Sequence, residues 1–345
     1  MENRVARLMG RSLIEMGLTD IPVPEADEVL IKVKHAGICG SDVHNYREGR
    51  AGKRVIKYPF VLGHEFAGEI IMTGARVTSL AVGDRVCVEP GVGCGECCFC
   101  KSGRYNLCER LKFMSAYPNE GCMQDYVTFP AKNCFKLPDN LTTIEGALIE
   151  PLAVGLHSAS RGGVKCGDAV VILGAGCIGL MTLLACKARN AATIIAVDIF
   201  DNRLQKALEL GATAAVNSAS GDAAAKIAGI LGKKRADVVF ETAGQPVTTL
   251  LAAEIVGRGG TIVTVGNVSE PTPYKFVDIN MKEVQMIGVF RYSNVFPLAL
   301  ELISSGKIDL NAVKPDIFPF EETQKAFQYA INNGKDVIKC VLEMD

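Results

Sequence analysis

The stretch Val170-Val-Ile-Leu-Gly174-Ala-Gly176-Cys-Ile-Gly179 decides the fold. Four consecutive apolar residues read as a fully buried strand, and the glycines after them follow the order G-x-G-x-x-G at the start of a helix predicted over residues 177–190. Gly174 permits a tight turn, Gly176 lets the backbone approach a pyrophosphate, and Gly179 lets helix and strand pack closely, with the phosphates on the helix N-terminus. The motif alone is weak; between a strand and a helix it reads as a dinucleotide-binding turn. Asp198 closes the next strand-like run, 194–197, where a carboxylate would accept hydrogen bonds from an adenosine ribose. Its charge would repel a 2′-phosphate and so favours NAD over NADP, with Arg203 near enough in sequence to soften that choice. The plain structural alternative for Asp198 is the N-cap of the following helix, 201–210.

Working outward, strand-like 237–241, helical 247–256, strand-like 261–265 and the apolar 286–290 continue the alternation, which predicts a parallel, doubly wound α/β sheet. The chain before Glu150 has another texture. Residues 27–34, DEVLIKVK, alternate as a half-buried strand should, and Gly, Pro and Asp punctuate short β-like runs as far as Pro138. The tail from about Phe296 holds a helix, a loop with Pro315 and Pro319, a helix over 323–331 and strand-like 337–342. It is too short to stand alone and is expected to pack on the first part. The expected domains are therefore 1–153 with 292–345, β-rich and discontinuous, and 154–291 for the dinucleotide.

A chain of 345 residues with 48% hydrophobic content suits two such domains. A formal charge of −1 offers no footprint for nucleic acid or an anionic membrane. The first 19 residues lack a secretory apolar core, and no stretch approaches the ~20 apolar residues of a membrane span. The reading is cytoplasmic. Thirteen cysteines in a reducing compartment then point to metal and buried thiols rather than disulfides. Cys87, Cys134, Cys166, Cys186 and Cys340 sit among apolar neighbours and read as small core residues. Cys94, Cys97, Cys100 and Cys108, spaced C-x2-C-x2-C-x7-C, suit one tetrahedral ion with no open position, a structural zinc that fixes a loop lacking its own core. An iron–sulfur cluster is the rival chemistry, and Cys98 is left over as a packing residue.

Two further segments gather possible metal ligands among glycines, Gly37-Ile-Cys39-Gly-Ser41-Asp42-Val-His44 and Gly63-His64-Glu65-Phe-Ala-Gly68. A third, Ala147-Leu-Ile-Glu150-Pro151, sets a carboxyl in an apolar run, where it needs a partner. With GDRV, the cysteine lobe, IEPLAVGLH, GAGCIG and GVFRY, these motifs stand in the order found in the zinc-containing medium-chain alcohol dehydrogenases. Over most of the chain the sequence resembles that family, particularly its sorbitol, xylitol and related polyol branch. The resemblance implies a Rossmann domain, a GroES-like catalytic domain, two zincs per chain, NAD, and a homo-oligomer, tetramer or dimer.

It also implies a catalytic zinc on Cys39, His64 and a carboxylate, one position being open. In sorbitol dehydrogenases the residue matching Glu65 is the ligand and that matching Glu150 holds the zinc-bound water; in other branches the latter ligates directly. Glu65 is taken as ligand here and Glu150 as water partner. Zinc as a Lewis acid lowers the pKa of a substrate hydroxyl, after which hydride passes to the nicotinamide. Ser41 and His44 match relay positions for the proton, with a mere surface role as the alternative for His44. Arg291 and Tyr292 match the pair that contacts polyol hydroxyls, and Ile178, Val265, Gly266, Val289 and Arg291 join the glycine turn around the cofactor. Asn45 stands where relatives place a substrate-side tyrosine, Tyr46 coming one position later. His35 and His157 read as structural. The implied reaction is reversible oxidation of a secondary hydroxyl of a polyol to a ketose. Alternatives are a dehydrogenase of a polyol phosphate such as galactitol phosphate, of 2,3-butanediol or of threonine, and, in another class, a zinc- and nucleotide-binding regulator without turnover.

Overall fold

The computed structural model describes residues 2–51, 54–232 and 235–345. Contacts group them into two units. One runs up to Glu150 and takes in Phe296–Ser304 and Lys314–Asp345; the other is Pro151–Val295 with Ser305–Val313. Residues 305–313, expected with the first part, group with the second, where Lys206 Nζ donates to the carbonyl of Ala312 at 3.4 Å.

The second unit is a sheet of six parallel strands in the spatial order Ala214–Asn217, Thr193–Asp198, Ala169–Leu173, Ala236–Glu241, Val256–Thr264, Gln285–Gly288. Chain order thus reverses between Ala169–Leu173 and Ala236–Glu241, and the crevice beyond their carboxyl ends is where such sheets take ligands. Every residue of Ala169–Leu173 is buried, as a central parallel strand requires. The sequence reading omits the strand Ala214–Asn217 and the helix Ala223–Leu231 because their run of alanines gives neither period any contrast. The strand expected over 261–265 begins earlier. The observed Val256–Thr264 includes Gly260, where a Cβ would press on Val256 Cγ2 at 2.9 Å and on the Asp237 carbonyl at 3.0 Å, so this glycine lets the backbone pass close to its neighbours where the pairing skips from Val256 to Thr261.

In the first unit the strand Glu28–Ile38 is central. It pairs antiparallel with Glu65–Thr73, with Cys340–Glu343 and with Tyr126–Pro130. The C-terminal strand therefore lies within this sheet, which explains why the unit is discontinuous. Val29, Leu30 and Ile31 are buried in succession, against the expected alternation, so both faces of the strand are covered here; the pairing with Glu65–Thr73 slips at this point, skipping Ile71 on the partner. Ile31, Val33, Phe66, Ile70, Val86, Phe129, Phe327 and Leu342 belong to its core.

Among the scattered cysteines, Cys87, Cys134, Cys186 and Cys340 are buried. Cys166 is exposed, because it lies in a turn ahead of Ala169–Leu173 whose backbone is tied by Lys165 N–H to Asp168 at 2.7 Å. Among the described residues no helix is long and apolar enough to cross a membrane.

Candidate active site and cofactor cradle

Cys39 sits at the N-cap of the short helix Gly40–Glu48, while His64 and Glu65 lie at the start of the neighbouring strand. Register brings them together: Gly37, two residues before Cys39, pairs with Glu65. Ligand atoms of Cys39, His64 and Glu65 all lie within 4.8 Å of one another, His64 and Glu65 being buried. Thiolate, imidazole and carboxylate are zinc donors, and three protein ligands leave a fourth position open, as catalytic sites do. Glu150 is not a member of this group.

Behind the donors lies Asp42, which the motif contains but sequence reasoning left without a role. Its side chain is fully buried, accepting from Ser115 Oγ at 2.7 Å and from the backbone N–H of Gly63 and Cys39, each at 3.3 Å. Its Oδ2 faces His64 Nδ1 at 3.5 Å. This carboxylate–imidazole arrangement leaves the far ring nitrogen for a metal. Burial lowers the affinity of His64 for a proton, but Asp42 and then Cys39 outweigh it and raise the pKa well above the ordinary histidine value. Burial opposes ionisation of Asp42 too, yet His64, Ser115 and the Cys39 N–H hold its pKa down.

On the same helix Ser41 and His44 are exposed, whereas Asn45 is buried at 6% accessibility. Tyr46 cannot stand in for the missing tyrosine. It is locked in the core, donating to the Ser12 carbonyl at 2.8 Å, accepting from Gln324 at 3.0 Å and packing on Phe327 at 5.0 Å.

Glu150 is buried in the helix Thr143–Arg161, immediately before Pro151. Its charge acts on a second carboxyl that sequence reading passed over, Glu89, also buried, which accepts from Tyr105 Oη at 2.6 Å. Burial pushes Glu89 up to about 7, against the Tyr105 hydrogen bond and with the Glu150 charge adding to it.

Cys94, Cys97, Cys100 and Cys108 form the second cluster, again with all four sulfurs within 4.8 Å. Backbone N–H groups of Cys94 and Cys100 point at Cys108 Sγ and Cys97 Sγ, each at 3.4 Å, and the N–H groups of Glu96 and Cys97 bring the Cys94 thiol down to about 6. Four soft donors with no open position fit a structural zinc. Cys98 is exposed.

In the second unit the glycine turn is built as its spacing requires. Gly174 has φ +105° and donates to Val197 O at 2.8 Å. A Cβ on Gly179 would strike the Gly174 carbonyl, whereas a Cβ on Gly176 would meet only Arg203 at 3.7 Å. Gly176 is thus the open face over the N-terminus of Cys177–Ala188, where a pyrophosphate fits. Asp198 does not cap the next helix, whose N-cap is Phe200. It accepts instead from the N–H groups of Ala175 at 2.7 Å, Ile199 at 2.8 Å and Phe200 at 3.1 Å, with Arg203 at 3.7 Å. Val265, Gly266 and Val289 line one cavity of about 490 Å³. Arg291 adopts φ +54° over the Phe290 ring at 4.8 Å, and Tyr292 is buried.

Residues 25–139 match the family model for the alcohol dehydrogenase GroES-like domain, and residues 177–305 that for zinc-binding dehydrogenases. The chain belongs to the zinc-containing medium-chain alcohol dehydrogenases, in their sorbitol (polyol) branch. It is 41% identical to the sorbitol dehydrogenase of Bacillus subtilis over 95% of this chain and 94% of that one. An Escherichia coli oxidoreductase of unknown specificity superposes with TM-score 0.96 at 44% identity over all of both chains. An alcohol dehydrogenase from Escherichia coli CFT073, solved with NADH, superposes with TM-score 0.92 at 31% identity over 99% of each. As a member of this family the protein is an oxidoreductase that uses zinc and NAD.

Proposed function

We propose that this dehydrogenase oxidises a secondary hydroxyl of a free polyol to a ketose, reversibly. The observation that carries the reading is the buried Cys39–His64–Glu65 group backed by Asp42, in a chain about 40% identical to sorbitol dehydrogenases. A zinc held there supplies Lewis acidity to the substrate oxygen. Glu65 is the carboxylate ligand in this reading, since it, and not Glu150, belongs to the group, and buried Glu150 positions a water or hydroxyl. Asp42 fixes the ring of His64, and exposed Ser41 and His44 carry the proton outward. The family resemblance assigns Asn45 of the first unit, and separately Arg291 and Tyr292 of the second, to substrate hydroxyls. Gly174, Gly176, Ile178 and Gly179 hold the pyrophosphate, Asp198 and Arg203 the adenosine ribose, and Val265, Gly266, Val289 and Arg291 the nicotinamide side.

The protein works in the cytoplasm, where its lobe thiolates stay reduced. It assembles as a homo-oligomer. Among the described residues Gln285–Gly288 is an edge strand, paired only to Val256–Thr264; Met286 in it, Phe290 just after it, and Phe276, Val277 and Met281 of the preceding helix are 40–64% exposed. Such an edge suits the same strand of a second copy.

The test is a substrate panel of xylitol, sorbitol, galactitol, their phosphates, 2,3-butanediol and threonine, each with NAD and NADP, on the wild type and His44→Ala. The expected result is the highest kcat/KM on a free polyol with NAD, and about a tenfold or greater loss of kcat in the variant. A preference for threonine, butanediol or a phosphate, or equal rates with NADP, contradicts the corresponding part of the reading. An unaffected His44→Ala removes the relay.

A further inference from the structure

Glu65, read above as a zinc ligand, has a partner within the chain. Lys339, 4% exposed, stands just before the strand Cys340–Glu343, which runs beside Glu28–Ile38. Its Nζ donates to both carboxylate oxygens of Glu65, at 2.9 and 2.7 Å, and to the Ile38 carbonyl at 3.1 Å, one residue before Cys39. Glu65, in a strand paired to one side of Glu28–Ile38, and Lys339, at the head of the strand paired to the other side, face each other across that strand, so the carboxylate must cross it to reach the ammonium. It crosses at Gly37, where any Cβ would collide with Glu65 Oε2. A glycine in mid-strand, a buried lysine and a carboxylate laid over the gap make a built ion pair.

We propose that Lys339 is a positioning residue that shares Glu65 with the catalytic zinc, weakening Glu65 as a ligand so that the ion keeps an open, electrophilic position. The inference rests on the reading of Cys39, His64 and Glu65 as the zinc site. A cation bonded to both oxygens competes for the lone pairs a metal would use, and it repels the metal. It also neutralises Glu65 when no metal is bound, which protects the empty site from an uncompensated buried charge.

The test measures zinc affinity by competition with a chelator, and thermal unfolding with and without zinc, for the wild type, Lys339→Met, Lys339→Arg, Glu65→Gln and Glu65→Gln/Lys339→Met. Lys339→Met is expected to bind the catalytic zinc at least tenfold more tightly and to lose thermal stability chiefly in the zinc-free form. Lys339→Arg should stay within about threefold of wild type, since it keeps the charge. In the Glu65→Gln background Lys339→Met should tighten nothing. Unchanged or weaker zinc binding in Lys339→Met, a tightening that persists without Glu65, or failure of Lys339→Met to fold even with zinc present would overturn the proposal. Glu65→Gln by itself tests the underlying reading: if it binds zinc as tightly as wild type, Glu65 is no ligand, a result distinct from any failure of Lys339→Met.

Discussion

Glu89 shows what a single buried side chain adds to pH dependence. Its carboxyl titrates near 4.5 when free and at about 7 in the fold, so between those values the native chain holds a proton that the unfolded chain has released. Stability contributed at this position is therefore complete at low pH and is lost as pH rises through 7. Glu89→Gln keeps an acceptor for Tyr105 and removes that loss. Relative to wild type it should gain about 2–3 kcal/mol between pH 4 and pH 8. Thermal unfolding at the two pH values checks this; a difference that does not change with pH contradicts it. Neither Glu89 nor Lys339 was legible in the sequence, because the partners that give them meaning are Tyr105 and Glu150 in one case and Glu65 in the other, 274 residues away. Cys39, His64 and Glu65 were legible because glycines and motif order mark them. Asp42 stood in plain view within the same motif, but only the fold turns it toward His64.

At the scale of elements, legibility followed contrast. Ala169–Leu173 and Asp201–Leu210 were readable from an unbroken apolar run and from a helix closed by Gly211 at φ +107°. The alanine-rich strand and helix between Ala214 and Leu231 were not, since small residues blur both periods. Gln285–Gly288 was visible as an apolar segment, but its place at the sheet edge depends on pairing that no local pattern encodes. That place carries a prediction. A charge at an exposed edge position blocks strand addition, so Met286→Lys, 40% exposed, should shift sedimentation toward the mass of one 36.9 kDa chain while leaving the secondary structure intact. Unchanged sedimentation moves the subunit contact elsewhere.

On the scale of the whole molecule, two units divide the labour. In the proposed function the doubly wound sheet offers a glycine turn and Asp198 to a dinucleotide, and the β-rich unit offers two separate groups of metal donors that differ in kind. Four cysteines close one group completely; a cysteine, a histidine and a glutamate leave the other open. The boundary between the contact units falls after Glu150, where the texture of the sequence changes; residues 305–313 group with the second unit, a segment that carries no motif and is held by contacts with Asp201–Leu210 such as Lys206 to Ala312. In the proposed function the open group holds the zinc on which polyol oxidation depends, and the closed group a zinc that serves the fold. The most direct measurement is metal content together with NAD-linked polyol turnover in the wild type and in Cys39→Ser. Two zincs per chain in the wild type, one in the variant, and a rate lowered by about a thousandfold or more are predicted. A Cys39→Ser protein that retains both zincs, or turns over polyol at the wild-type rate, would contradict the account.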